Sequence, residues 1–466
     1  MTTVVSRPAS AHRALTCLAV AATLALVGCA TAPPSHVATT PAVAAPSQWA
    51  ETSPGNQGTV GDAWWRDFGD PVLDRLVDSA LDANRDLKVA AARLAQARAL
   101  GDSAEAERRP RLDAMARGER GRENSLEPRA ERSGVGLRAA WEVDLFGRGA
   151  LLVDAARSDS DVAREALRAA RIALAADVST AYFELRTLER RSALKREALE
   201  VAQRQAVVAA RKFAAGQVTA LDVERWRAEL AQEQASLAQL DGEHRVRLHQ
   251  LALLVGSPQA PELGAQAVPA ALPAPPATVL PATLLERRPD VQRQARALDA
   301  ALARAGAARK EVYPRLQIEW AGTKERLAAV GDGAAPRVAV GYGVSVTLPI
   351  IDGGRIRANV AVHDARAQEA MAEYEKAMLA ALVDVETSLA RWSASDRSMQ
   401  EWQRAEAAGK VAARNAARLY DAGQADMSDV LAARHAHLRS RDALETAIGA
   451  QWEAAVGLRR TFAGAV

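Results

Sequence analysis

The sequence predicts a mainly α-helical chain with a membrane-type β part, built as two copies of one unit. Three observations carry this prediction. Landmarks recur at a fixed distance: "FAAGQVTALDV" (213–223) returns as "YDAGQADMSDV" (420–430), placing Gly216 and Gly423 207 residues apart. Long stretches contain no proline and almost no glycine, which favours unbroken helix. Between them, four short stretches change to a period of two, the signature of strands with one apolar and one polar face.

A repeat on this scale calls for two equivalent structural units. Arg148 in "WEVDLFGR" and Arg355 in "LPIIDGGR" are also 207 residues apart, while Pro110 in "RPRL" and Pro314 in "YPRL" are 204 apart. The three-residue difference falls within 119–132 and 323–337, whose Gly, Pro and charge content reads as exposed loops.

Each half begins with a helix, about 71–108 and 289–311, in which Leu73, Leu76, Val77, Ala80 and Leu81 recur at helical spacing. A proline ends each one. Strands of about nine to eleven residues follow. Leu112, Ala114 and Ala116 alternate with Arg111, Asp113, Met115 and Arg117, and Leu316, Ile318 and Trp320 with Gln317, Glu319 and Ala321. After the loops, Leu137, Ala139 and Trp141 alternate with Gly136, Arg138 and Ala140. Val338, Val340, Tyr342, Val344, Val346 and Leu348 alternate with Gly341, Gly343, Ser345 and Thr347. A half-buried sheet on a soluble core is the common explanation. Here the flanking helices leave little for the apolar faces to cover, so a transmembrane barrel with a polar lumen fits better. Four strands cannot close a barrel, and a membrane tolerates no open sheet edge, so several protomers must contribute.

Two very long helices then run from about Arg148 to Ala215 and from about Gly354 to Ala422. Roughly 67 residues at 1.5 Å each reach about 100 Å, a length that calls for coiled-coil packing. Each ends at a glycine turn, and a second helix returns over about 219–255 and 426–460. Gly216 and Gly423 provide the positive φ of a helix C-cap, while Thr219 and Asp426 are placed to cap the returning helices.

Composition narrows the function. Sixty basic and 57 acidic residues leave a net charge of +3, with no concentrated basic face for nucleic acid. Aromatics make up only 4 %, which favours extended helices over a compact aromatic core. The histidines lie apart from carboxylate or cysteine company of the kind a zinc site needs. "GDSA" (101–104) sits inside a helical pattern with no partner histidine motif, and "GDGAAP" (331–336) reads as an external loop tip rather than a phosphate cradle. No catalytic residue, metal site or cofactor is expected.

At the N-terminus, Arg7 and Arg13 precede the apolar run Ala14–Val27, the length of a secretory signal and too short to span a membrane. Leu26-Val27-Gly28-Cys29 resembles the lipobox of bacterial lipoproteins, which implies a signal peptide over 1–28 and lipidation of Cys29. Ala30, where an inner-membrane retention signal would place Asp, implies the outer membrane. The expected organisation continues with a tether over 29–62, a first repeat over 63–258, a Pro/Ala-rich linker over 259–285 and a second repeat over 286–466.

"WWRDFGDPVLDRLVDSALDANRDL" (64–87), "WEVDLFGR", "RRPDV", "YPRL", "LPIIDGGR" and the doubled "AGQ…DV" turns resemble the outer-membrane factor family of TolC/OprM type, in its lipoprotein branch. The resemblance covers nearly the whole mature chain. It implies a homotrimer in which each duplicated protomer gives four strands to a twelve-stranded transmembrane β-barrel and long helices to a periplasmic α-helical barrel. It also implies a passive exit duct for drugs or other small molecules, embedded in outer-membrane lipid. Such ducts dock to a periplasmic adaptor (membrane fusion) protein and an inner-membrane transporter, here of RND type. Adaptor contact is carried over to Gly216, Gln217, Val218, Gly423, Gln424 and Ala425, at the inner mouth. The constriction is carried over to Asp426, Asp429 and Arg434, where three Asp429 carboxylates would attract cations and Arg434 would offset them. The competing role for Asp429 is a helix-start carboxylate serving the macrodipole. A periplasmic adaptor and a structural coiled-coil lipoprotein are the alternatives; neither calls for four amphipathic strands.

Overall fold

The computed structural model describes residues 41–51, 61, 63–121, 130–264, 272–273, 275, 280–329 and 335–463. The signal segment, Cys29 and residues 331–334 of the "GDGAAP" tip lie outside them. The chain separates into two compact units. One holds Ala95–Val162 and Gln294–Tyr374, the other Ala42–Leu94, Ala163–Arg293 and Glu375–Val466.

The helices are α1 (Pro71–Ala83), α2 (Arg85–Ala106), α3 (Arg148–Ala214), α4 (Ala220–Leu254), α5 (Pro281–Arg287), α6 (Pro289–Arg309), α7 (Arg355–Asp421) and α8 (Met427–Phe462). Short 3₁₀ turns occupy Trp64–Phe68 and Lys310–Val312. Both α3 and α7 contain 67 residues, and their ends are offset by the 207 residues of the repeat. The duplication is therefore structural. None of the described helices is long and apolar enough to cross a membrane.

The expected helix over 71–108 is two helices. Asn84 breaks it: its Oδ1 accepts from Asp86 N–H (2.9 Å) and Leu87 N–H (3.1 Å), and its Nδ2 donates to the Leu254 carbonyl (2.9 Å). The side chain offers the backbone an N-cap in place of continued helix. The second helix ends at Arg309, and α5 begins at Pro281, inside the stretch read as linker, where Leu284 and Leu285 are buried. Residues 41–51 are irregular, with Ala42 N–H held by Glu375 and Ala50 N–H by Glu386, both at 2.8 Å.

In the first unit, β1 (Arg111–Gly121), β2 (Ala130–Val143), β3 (Arg315–Ala329) and β4 (Ala335–Thr347) form one antiparallel sheet in the order β1-β2-β3-β4. The strands are 11, 14, 15 and 13 residues long, so most of them exceed the expected length, and they extend into 119–132 and 323–337. Glycines and charges at those ends hide the alternation without preventing the ladder.

The core of the second unit gathers seven buried aromatics. Phe68 lies 5.1 Å from Phe183 and 5.8 Å from Trp452, with Phe183 stacked on Trp452 at 4.5 Å; Trp64, Trp65, Tyr182 and Phe462 complete the cluster. The low aromatic content thus conceals a compact aromatic core, because its members are concentrated at one place. Asp70 caps α1 from within this core, accepting from Val72 N–H at 2.8 Å, and Pro71 at the first helical position needs no donor partner.

Candidate functional site

Strand register decides which side chains share a face. Leu112 pairs with Ala139, which pairs with Trp320, which pairs with Tyr342; one step along, Trp141, Ile318 and Val344 line up. This face is apolar and uncovered: Tyr342 is 90 % exposed, Val338 69 % and Val344 68 %. Arg111, Asp113, Arg117, Arg138, Glu319 and Ser345 occupy the opposite face, with Arg138 and Glu319 paired at 3.2 Å. Close strand approach also needs a small residue on that face. A Cβ on Gly136 would lie 2.6 Å from the Gly322 carbonyl oxygen. Apolar outside and polar inside is the pattern of a lipid-embedded barrel wall. Among the described residues the sheet remains open, since β1 and β4 each pair on one side only.

The two glycine turns are built alike. Gly216 (φ 70°) and Gly423 (φ 69°) occupy the left-handed region. Gln217 N–H reaches the Lys212 carbonyl at 2.9 Å and Gln424 N–H the Leu419 carbonyl at 2.8 Å, closing a Schellman end on α3 and α7. The returning helices start with reciprocal caps. Asp222 Oδ2 accepts from Thr219 N–H (3.0 Å) and hydroxyl (2.7 Å), and Asp429 Oδ2 accepts from Asp426 N–H (3.2 Å). Hydrogen bonding from Thr219, first its hydroxyl and then its N–H, holds the Asp222 carboxyl below its usual range. Gly216, Gln217, Gly423, Gln424, Asp426, Asp429 and Arg434 are exposed, whereas Val218 and Ala425 are half-buried. Asp429 and Arg434 form no ion pair among the described residues.

The histidines on α8 face different helices, as their spacing requires. His435 Nδ1 lies 3.3 Å from Glu229 on α4 and its ring 6.3 Å from Trp226, while His437 Nε2 lies 2.9 Å from Glu406 on α7. Among the described residues no group of three or more His, Cys, Asp or Glu could hold a metal. "GDSA" lies within α2. A cluster missed by motif reading lies deeper: Arg186 donates to Tyr182 Oη (3.2 Å), the Leu263 carbonyl (2.7 Å) and the Gly264 carbonyl (3.0 Å). These bonds fasten the start of the linker to α3.

The family model for outer membrane efflux proteins matches residues 76–257 and 280–464, one span per repeat. The chain belongs to this family. It is 35 % identical over 378 residues to outer membrane protein OprJ of Pseudomonas aeruginosa, covering 78 % of this chain and 77 % of that one. It is 27 % identical to the probable outer membrane lipoprotein SilC of Salmonella typhimurium, covering 79 % and 81 %. The solved structure of the outer-membrane channel OprN superposes with a TM-score of 0.80 at 30 % identity, over 91 % of this chain and 99 % of that one. The Campylobacter jejuni CmeC outer membrane channel shares the fold, with a TM-score of 0.82 at 22 % identity, over 93 % and 95 %. The protein is an outer-membrane channel of tripartite efflux systems, reaching into the periplasm of a Gram-negative cell, and family channels transport rather than catalyse. The family forms trimeric channels.

Proposed function

We propose that three copies of this chain close a twelve-stranded barrel by pairing β4 of one protomer with β1 of the next. The open four-stranded sheet carries this reading: it exposes an apolar face and leaves two unpaired edges, a combination that lipid does not tolerate. Lipidation of Cys29, followed by the tether over 29–62, anchors the assembly. The tips at Gly216, Gln217 and Val218 and at Gly423, Gln424 and Ala425 dock a periplasmic adaptor, which links the duct to an inner-membrane transporter of RND type. Paired glycine turns with exposed glutamines support this assignment. The repeats over 63–258 and 286–466 each contribute one hairpin to the mouth, joined by the linker over 259–285.

Relatives are named for different cargoes, among them solvent efflux for SrpC of Pseudomonas putida and pyoverdine export for OpmQ of Pseudomonas aeruginosa. A duct of this kind passes what its pump delivers, and drugs or other small molecules are the cargo proposed here. Asp426 and Asp429 narrow the mouth, with Arg434 adjoining, and select against anions. Three measurements test the reading. Membrane extraction should yield a heat-modifiable trimer; a monomer released by delipidation would refute the barrel. Cys29→Ser should abolish acyl labelling, and unchanged labelling would refute the anchor. Crosslinkers at Gln217 and Gln424 should capture an adaptor, and capture from neither position would refute the docking surface.

A further inference from the structure

The outward face of the sheet changes character along its length. Four consecutive rows across it are uncharged and mainly apolar. From the helix end they are Val143–Leu316–Val346, Trp141–Ile318–Val344, Ala139–Trp320–Tyr342 and Leu137–Gly322–Val340. The next two rows, toward the β1–β2 and β3–β4 connections, each bring in a cation: Val135–Lys324–Val338 and Ser133–Arg326–Pro336. Lys324 and Arg326 stand two residues apart on one strand, about 7 Å along the same face. Both are exposed, and neither forms an ion pair among the described residues. Arg120 reaches this end as well, in register opposite position 131. A hollow of about 690 Å³ opens beside the two cations, lined also by Gly118, Ser133, Val135 and Pro336 and by two further charged residues, Arg117 and Glu325; Arg117 is paired with Glu119 at 2.7 Å. Gly118 has open space where a side chain would project.

We infer that Lys324 and Arg326 form a binding site for the phosphate groups of the phosphorylated glycolipid in the outer leaflet. The inference rests on the apolar face meeting lipid. Cations that face outward are costly against hydrocarbon and become favourable where the apolar band ends and anionic headgroups begin. The helices of this channel lie on the periplasmic side, so the sheet end carrying Lys324 and Arg326 meets the outer leaflet. Lys324 and Arg326 outweigh the single carboxylate of Glu325 in this hollow, and the net positive charge fits one phosphate with part of its sugar. A zwitterionic headgroup offers its phosphate only alongside its own cation, so it matches the two charges less well.

The test compares wild-type protein with a Lys324→Gln, Arg326→Gln double variant in nanodiscs of zwitterionic phospholipid. The probes are diphosphorylated lipid A, its dephosphorylated form and phosphatidylglycerol. Wild type should retain diphosphorylated lipid A roughly ten-fold or more tightly than the variant does, and the dephosphorylated form should not distinguish the two proteins. A Lys324→Arg, Arg326→Lys exchange should bind as wild type does. Equal retention by wild type and the double variant overturns the site. So does wild-type binding of phosphatidylglycerol as tight as that of lipid A, which would show a general attraction to anionic surfaces. Loss of the heat-modifiable trimer in wild type would instead overturn the barrel itself.

Discussion

Tyr182 Oη donates a 2.5 Å hydrogen bond to Asp70 Oδ2, joining the third helix to the cap of the first through two side chains that water does not reach. The same carboxylate caps α1 through Oδ1. One buried aspartate therefore starts a helix and positions another. Burial, and next the bond to Asp70, pushes the Tyr182 hydroxyl up to about 12 from 10.0.

A raised tyrosine value has a defined sign. Below pH 10 the phenol is neutral in folded and unfolded chains alike, so its stabilisation is complete. Between pH 10 and about 12 only the unfolded chain ionises, and stability falls as pH rises. Tyr182→Phe should cost about 1–3 kcal/mol at neutral pH and flatten this alkaline decline, as read by thermal unfolding from pH 8 to 11. An unchanged slope would show that the phenol is not the group responsible.

Phe68 contacts both Phe183 and Trp452, and the Arg459 guanidinium lies 5.0 Å above its ring. Phe68→Ala should cost about 3–5 kcal/mol in chemical unfolding, and Phe68→Leu considerably less. Equal losses would mean that ring geometry, not volume, is what the core needs.

The glycine turns differ in what surrounds them. Gly216 has open space where a Cβ would project, so Gly216→Ala costs only the left-handed strain, about 1 kcal/mol. Gly256 has the same φ of 70°, but a Cβ there would lie 2.7 Å from the Ala83 carbonyl oxygen. Gly256→Ala should therefore lose about 3 kcal/mol. Melting temperatures of the two variants should fall in that order.

Asp222 and Asp429 perform the same capping task in the two repeats, so replacement by Asn at either position should loosen its own tip to a similar degree in hydrogen exchange. Only Asp429→Asn should also reduce cation selectivity and raise single-channel conductance. Identical channel records for both variants would assign Asp429 to capping alone. As pH falls through and below 3.8, Asp222 protonates and its cap is lost, because its carboxyl is held below that value in the folded chain.

Several parts of this architecture could be seen in the residues themselves. The 207-residue offset located the ends of α3 and α7, and two-residue alternation located all four strands and their faces. Local chemistry sufficed there, since glycine at φ > 0 and Thr or Asp at a helix start act within a few residues. Long-range contacts were the limit. The Asn84 break is invisible to periodicity because Ala80 and Leu87, seven residues apart and both buried, maintain helical spacing across it; the deciding contact is with Leu254, 170 residues away. The core around Phe68 likewise joins residues from α3 and α8, and Arg186 finds its acceptors in the linker. Charges at the end of β3 and the Ala-Pro-Arg start of β4 hid their true length.

The unpaired edges of β1 and β4 also bear on inheritance. With the proposed β4–β1 closure, a protomer with these edges is one segment of a ring, so each finished channel is a joint product of three synthesis events. A copy able to pair through β1 but damaged at β4 would still enter rings and leave them unclosed. If damaged and intact copies are made equally and mix at random, only about one ring in eight is wholly intact. Lesions at β4 should therefore behave as dominant, whereas lesions that unfold the chain before pairing should be recessive.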